Sequence, residues 1–164
     1  MVPQFRTILV ATDFSQPSEH ALEYARVLAR SFGATLHLLH VVPDPVLASA
    51  WSEAYAYDLT ALGERLRRDA EQQLTERAQA IGDVAVTTEA LVGSPAATIA
   101  VTAAERGIDL IVMGTHGRSG FSHLFMGSVA ERVVRSATCP VLTVREPAAE
   151  KGRQHQVESR TATV

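Results

Sequence analysis

Lysine is almost absent from this chain of 164 residues. Of its 15 basic residues only Lys151 is a lysine, and the others are arginines. A P-loop requires a lysine at the end of its glycine-rich turn to reach the phosphates, so the sequence excludes that kind of phosphate site. The position of Lys151 near the C-terminus also argues against a Schiff-base mechanism.

Cysteine, long hydrophobic runs and clustered positive charge are scarce as well. Cys139 is the single cysteine, which excludes an intramolecular disulfide and a cysteine-based zinc site. No apolar run reaches the roughly 18 residues of a membrane-spanning helix, and the first residues do not resemble a secretory signal. With neither of these segments, we expect a cytoplasmic protein that does not bind a membrane. Because the formal net charge is −3 and no polybasic stretch exists, we expect no nucleic-acid partner.

Apolar runs alternate with amphipathic segments along most of the chain. We predict strands over residues 5–12, 35–42, 84–93, 109–114 and 139–144, with helices between them. This alternation is typical of an α/β fold: a doubly wound five-stranded parallel sheet with helices on both faces, Rossmann- or flavodoxin-like. We expect residues 1–146 to form one domain and the polar residues 147–164 to form a mobile C-terminal tail.

The longest predicted helix follows the second strand. Its buried stripe is expected to consist of Leu59, Leu62, Leu66, Ala70, Leu74, Ala78 and Ile81. Gly63 weakens a helix by about 1 kcal/mol relative to alanine. The first part of this helix is therefore a candidate for a separate turn.

A glycine-rich segment follows the fourth predicted strand and leads into the last helix. Gly114, Gly117 and Gly127 have the spacing G-x2-G-x9-G, with Ser128 directly after them and Arg118 between them. Glycines let backbone N–H groups approach a phosphate, and a helix N-terminus carries about half a positive charge. The serine hydroxyl and the arginine supply further donors, so the segment is a candidate anion site.

An acidic residue ends the first predicted strand. In doubly wound sheets the ligand binds beyond the carboxyl ends of the strands, where the winding reverses. With the strand order 3-2-1-4-5, that crevice lies between strand 1, which Asp13 follows, and strand 4, which Gly114 ends. A carboxylate there can accept a hydrogen bond from a ribose hydroxyl or contact Mg²⁺.

Each of these features also has a structural alternative. Ser128 and Glu131 have the S-x-x-E spacing of a capping box, which explains the serine without a ligand. Gly114 can serve only the turn at the end of its strand. Asp13 can cap the helix that follows it.

The chain resembles the universal stress proteins, in particular their ATP-binding subgroup. The resemblance covers about residues 4–145 and is carried by ILVATDFS at the first strand, by the glycine signature from Gly114 to Ser128, and by CPVLTV at the last strand. It implies an adenine nucleotide, ATP or another, together with Mg²⁺. Ala11 stands where this subgroup often has proline, a mild departure.

The resemblance assigns a role to each site residue. Ala11 and Thr12 would line the base, Asp13 would contact the ribose and through the nucleotide the Mg²⁺ ion, and the backbone of Val41 would meet adenine. Met113 and Gly114 would lie near the ribose and base. The residues that would hold the phosphates are Gly117, Gly127, Ser128 and Val129. Arg118 is added from its residue type alone, as a charge-assisted donor to a phosphate.

The resemblance also implies a regulatory or stress-response module whose nucleotide changes its affinity for a protein partner, with at most slow hydrolysis. It implies a homodimer formed through the last strand, Val141–Val144, unless the tail covers that edge. One alternative is an interaction module that binds no nucleotide. The other is an ATP-pyrophosphatase-type enzyme, but the glycine-rich loop such enzymes carry after strand 1 is replaced here by DFSQPSEH.

The histidines and the cysteine are expected to be structural. His37 and His40 are three residues apart on a strand, so they face opposite sides of the sheet and make poor joint metal ligands. His116 and His123 belong to the glycine-rich segment and are read as surface histidines. Cys139 is read as an inert thiol, and no catalytic residue is assigned.

Overall fold

The computed structural model describes residues 4–48, 56–115 and 126–145 of the chain. Gly117, Arg118, His116 and His123 lie outside the described residues, as does the predicted tail. The strands are β1 (Thr7–Ala11), β2 (Thr35–Pro43), β3 (Val86–Gly93), β4 (Leu110–Gly114) and β5 (Val141–Val144). The helices are α1 (Gln16–Phe32), α2 (Pro45–Ala48), α3 (Ala56–Ile81), α4 (Pro95–Glu105) and α5 (Ser128–Ser136).

The strands form one parallel sheet in the order β3-β2-β1-β4-β5, so the predicted fold class and strand order are confirmed. β1 lies at the centre, where Val10 is opposite Leu38 on β2 and opposite Val112 on β4. A central parallel strand is buried on both faces, which explains why β1 reads as a continuous apolar run rather than an alternating one.

Helices cover both faces of the sheet, and alternate strand residues point to each. Ile8 and Val10 belong to a core cluster that contains α1 and α3 residues, whereas Leu9 and Ala11 belong to a cluster that contains α4 and α5 residues. α1 packs through small side chains, and Ala21, Ala25 and Ala29 are fully buried. Alanines at this spacing let the helix axis lie close to the sheet.

The ends of α1 follow the local signals in the sequence. The helix begins after Ser15 with a proline in its first turn, as expected from the fixed φ of proline. It ends at Gly33, which has a φ of 66°. That left-handed conformation is open to glycine at little cost and stops the helix.

α3 differs from the prediction in its first half. Leu62 and Leu66, predicted to be buried, are 42% and 41% exposed. Gly63 is not a break, because α3 is continuous from Ala56 to Ile81. An added Cβ at Gly63 would lie 3.4 Å from Pro45 Cδ and 3.6 Å from Val92 Cγ1, so the glycine marks the side of α3 that meets α2 and β3. Leu62 and Leu66 lie to one side of this buried line of α3 and are exposed.

The other differences are at element ends. Pro45–Ala48 forms the short helix α2 inside a segment predicted to be a loop, and β1 and β5 are shorter than predicted. Within the described residues, no helix has both the length and the apolar character needed to cross a membrane.

Alanine substitution should change the stability in opposite directions at Gly63 and Gly93, the two glycines where an added Cβ would contact a neighbouring element. At Gly63 an added Cβ makes ordinary van der Waals contacts, so Gly63→Ala should raise the free energy of unfolding by about 0.5–1 kcal/mol through helix propensity. At Gly93 the Cβ would lie 2.6 Å from Thr98 Oγ1, and Gly93→Ala should lower it by about 1–3 kcal/mol. Urea unfolding followed by circular dichroism measures both. Destabilisation by Gly63→Ala would contradict the contact assigned to that face of α3.

Candidate functional site

The central strand is shorter at its carboxyl end than either neighbour. Ala11, the last residue of β1, is opposite Leu39 on one side and Met113 on the other. β2 continues to Pro43 and β4 to Gly114, so a gap opens beyond β1. The chain leaving β1 enters α1 on one face, and the chain leaving β4 leads to α5 on the other. The predicted crevice between β1 and β4 is therefore the point where the winding reverses.

The backbone of Val41 borders this gap on the β2 side. Thr35 N donates to Arg6 O and Leu39 O accepts from Thr12 N, so the odd-numbered residues of β2 direct their N–H and C=O groups toward β1. Val41 is also odd-numbered, but it lies past Leu39, which is the partner of Ala11, the last residue of β1. Its N–H and C=O are therefore directed into the gap, while its side chain is buried in the α4/α5 core.

Gly114 borders the gap on the β4 side. Thr115 N donates to Val144 O on β5. Since successive strand residues direct their backbone groups to opposite sides, those of Gly114 are directed toward β1. In the register that pairs Ala11 with Met113, Gly114 N–H lies beside Ala11 O, and the Gly114 carbonyl is the group that lies past the end of β1. The side chains of Ala11 and Met113, which are opposite each other in register, are both buried in the α4/α5 core below the gap.

A hydrogen-bonded turn, residues 12–15, carries the chain from β1 to α1. Thr12 Oγ1 accepts a hydrogen bond from Phe14 N at 3.0 Å and lies 3.0 Å from Ser18 Oγ. Ser18 uses its own proton to donate to Ser15 O, at 2.8 Å. The hydroxyl of Thr12 therefore donates to Ser18, and the buried Thr12 side chain holds the turn together.

Asp13 is half-buried at the edge of the gap. Its Oδ1 accepts from Ser15 N at 3.1 Å and from the Ser15 hydroxyl at 2.5 Å. Ser15 is itself the N-cap residue of α1, and it makes no side-chain hydrogen bond into the helix. The Asp13 carboxylate thus orders the N-cap residue of α1, so the capping alternative for Asp13 holds through Ser15.

α5 begins beside the end of β4. Gly127 is its N-cap residue, and Gly127 N donates to Thr115 O at 2.7 Å. Ser128 is the first helical residue and is exposed, so the capping-box alternative for Ser128 and Glu131 is wrong. No side chain caps this helix. The N–H groups of its first turn, Ser128 to Ala130, have no acceptor within the helix, and such groups can donate to an anion next to the gap.

A metal ion would depend on the ligand for most of its coordination. Within the described residues, no three histidine, cysteine, aspartate or glutamate side chains are grouped to hold one. Mg²⁺ ordinarily takes one or two carboxylates and completes its shell with phosphates and water. Asp13 fits the carboxylate part of such a shell.

The two β2 histidines face opposite sides of the sheet, as predicted. His37 Nε2 lies 3.1 Å from Glu89 Oε2, and its Nδ1 lies 2.8 Å from Thr87 Oγ1. His40 instead stacks on Phe14, in the α1/α3 layer. Burial raises the pKa of the Cys139 thiol, which disfavours the reactive thiolate.

Two residues of this region were missed by sequence reasoning. Phe14 has a φ of 64°, the one positive φ of a non-glycine residue in the described ranges. His40 Nδ1 lies 2.8 Å from the carbonyl oxygen of Thr12. The contact of His40 with Thr12 depends on the register between β1 and β2, so no local pattern in the sequence indicates it. The backbone conformation of Phe14 has no local signal in the sequence either.

The hydrogen bonds of the Thr12 hydroxyl should stabilise the turn, and two substitutions test this. Thr12→Val removes the acceptor for Phe14 N–H and the donor to Ser18, and we expect a loss of about 1–3 kcal/mol in the free energy of unfolding. Thr12→Ser keeps the hydroxyl and should cost less. Urea unfolding of both variants measures the difference, and equal losses would show that the hydroxyl does not hold the turn.

Known proteins share this fold and sequence. Residues 4–145 match the sequence model of the Universal stress protein family. Universal stress protein MJ0531 of Methanocaldococcus jannaschii is 34% identical over 146 residues, covering 89% of this chain and 85% of that protein. The structure of UspA from Lactobacillus plantarum has a TM-score of 0.77 at 29% identity, covering 87% of this chain and 99% of its own.

A further solved structure carries a ligand. It is a universal stress protein in complex with cAMP, with a TM-score of 0.59 at 26% identity, covering 87% of this chain and 98% of its own. The strand order, the glycine signature and these matches agree with one another. This chain belongs to the universal stress protein family.

Proposed function

We propose that this protein binds an adenine nucleotide, with ATP as the first candidate, in the gap beyond β1. In this proposal it acts in the cytoplasm as a nucleotide-dependent regulatory module of a stress response. A nucleotide regulates only if it binds two conformations with different affinity. The observation that carries the proposal is the pair of backbone edges, Val41 and Gly114, that face each other across the gap beside Asp13 and the start of α5.

The Val41 edge favours adenine over guanine. A backbone N–H and C=O directed the same way can pair with a ring nitrogen acceptor and the exocyclic amino group of adenine. Guanine carries a carbonyl where adenine carries the amino group, so its oxygen would meet the Val41 carbonyl. An unpaired buried acceptor is costly, which gives the site a physical basis for selecting the base.

The opposite end of the gap suits the sugar and phosphates. Asp13 is fixed by Ser15 close to where the ribose hydroxyls would lie. The first-turn N–H groups of α5 and the exposed Ser128 hydroxyl supply donors for phosphate oxygens. The relative in complex with cAMP supports this arrangement, because cAMP combines an adenine base with a phosphate.

Efficient phosphoryl transfer is not part of the proposal. It requires cations positioned around the terminal phosphate, and the chain has no lysine before Lys151. Among the described arginines, Arg77 is already paired with Glu19 at 2.6 Å. We therefore propose occupancy of the site, with at most slow hydrolysis, as the regulatory signal.

Thermal unfolding with Mg-ATP tests the binding proposal. At a ligand concentration about 100 times Kd, linkage gives about 2.7 kcal/mol of stabilisation. For a chain of this size that corresponds to a rise in Tm of about 5–10 °C. Mg-GTP should give a much smaller rise in Tm. A comparison of the rises with ATP, AMP and cAMP shows how much the phosphates contribute to binding.

Two matched variants locate the binding. Asp13→Asn keeps an acceptor for Ser15 but removes the charge, and a tenfold weaker affinity would lower the stabilisation by ATP from about 2.7 to about 1.4 kcal/mol. Asp83→Asn is the control, because Asp83 pairs with Arg26 before β3 begins, at the amino end of the sheet. An equal ATP effect in both variants, or none in the unmodified protein, would contradict the proposal.

We also propose a homodimer formed through β5. Within the described residues β5 pairs with β4 alone and is an edge of the sheet. Ile111 N donates to Pro140 O and Thr115 N to Val144 O, so the even-numbered residues of β5 face β4. Val141 and Thr143 direct their backbone groups outward, where a second copy can pair with them.

Thr143→Pro tests the edge without breaking the β4–β5 ladder, because it removes an outward-directed N–H. We expect sedimentation to show a dimer for the unmodified protein and for the control Thr143→Val, and a monomer for Thr143→Pro. A persistent dimer in the proline variant would place the interface elsewhere. A monomeric unmodified protein would favour coverage of this edge by the tail.

A further inference from the structure

The β1–β2 ladder is one hydrogen bond shorter than the register of the two strands allows. In this ladder Arg6 O accepts from Thr35 N, and six residues further along the same register would pair Thr12 O with Val41 N. The last backbone bond of the ladder runs instead from Thr12 N to Leu39 O, at 2.9 Å. A group that donates to Thr12 O therefore competes with Val41 N–H for that acceptor.

His40 occupies that oxygen. Its Nδ1 lies 2.8 Å from Thr12 O. A carbonyl oxygen can only accept, so Nδ1 carries the proton and donates. His40 directly precedes Val41, which lets its imidazole take the place of the neighbouring backbone N–H at the same carbonyl.

The imidazole is held in this orientation by its neighbours. The Phe14 ring stacks on it with centroids 4.4 Å apart and an interplanar angle of 22°. The Arg77 guanidinium carbon lies 4.5 Å from the centroid of the Phe14 ring, and Arg77 also binds Glu19. α1, α3 and the turn after β1 thus converge on Phe14, and the Phe14 ring in turn packs on His40.

The backbone of Phe14 fits the same role. A φ of 64° is rare for a bulky side chain and persists only where its surroundings enforce it. This conformation lies between the end of β1 and the start of α1, where the extended backbone of the strand has already ended. The ring stack and the bond from Phe14 N to Thr12 Oγ1 hold the residue in that conformation.

We propose that His40 is a positioning residue for nucleotide binding: by donating to Thr12 O it keeps the ladder from closing and leaves Val41 N–H for the base. This inference rests on the proposed function, and it adds a residue that does not touch the nucleotide. Loss of the imidazole donor should let Val41 N–H bind Thr12 O. The folded protein then keeps a hydrogen bond at the Thr12 carbonyl, whereas the nucleotide site loses the Val41 N–H as a donor.

Two variants separate the donor from the ring. His40→Phe keeps a ring to stack on Phe14 but has no donor, and His40→Asn keeps a donor at a similar distance from the backbone but has no ring. We expect titration calorimetry with Mg-ATP to show about tenfold weaker binding for His40→Phe, the value of one hydrogen bond. His40→Asn should stay within about threefold of the unmodified protein. If His40→Phe fails to fold, His40→Leu repeats the donor-free test.

A measurement without nucleotide tests the ladder directly. In the free His40→Phe protein, NMR should detect a scalar coupling through a hydrogen bond between the Val41 amide nitrogen and the Thr12 carbonyl carbon, and the unmodified protein should lack it. If the unmodified protein binds ATP and His40→Phe binds equally well, the role of His40 is overturned and the proposed function stands. If the unmodified protein binds no adenine nucleotide, the proposed function is overturned, and the coupling alone decides the ladder role.

Discussion

β1 ends at Ala11 while its two neighbours in the sheet continue, and the candidate site depends on this difference in length. The gap exists because the central strand stops first, and its walls carry backbone N–H and C=O groups because the flanking strands have lost their partner. Such groups must find hydrogen bonds when they are removed from water. A planar, polar base, as we propose, would supply them, whereas an apolar ligand would not.

The two-layered packing keeps this difference in place. Alternate residues of β1 are buried against α1 and α3 on one face and against α4 and α5 on the other, so a one-residue slip would move each of its side chains into the opposite core. The turn that follows is fixed just as firmly. Thr12, Ser15 and Ser18 satisfy one another, and they place the Asp13 carboxylate at the edge of the gap.

The sequence predicted what depends on chain order and local chemistry. The strand order, the ends of α1 and the juxtaposition of Asp13 with Gly114 all follow from apolar runs, caps and the rules for parallel sheets. Leu62 was predicted to be buried but is exposed. The side of α3 that packs against its neighbours runs through Gly63, which the apolar pattern did not include in the buried stripe. The contact of His40 with Thr12 depends on the register between two strands, which no local pattern encodes.

An NMR titration of the unmodified protein with Mg-ATP, following the backbone amides, tests binding in the gap most directly. Binding there should give specific, saturable shifts at its walls and floor, namely at Val41, Asp13, Gly114 and the first turn of α5, with little change at the amino ends of the strands. Shifts centred on another surface, or the same shifts with Mg-GTP at equal concentration, would contradict it.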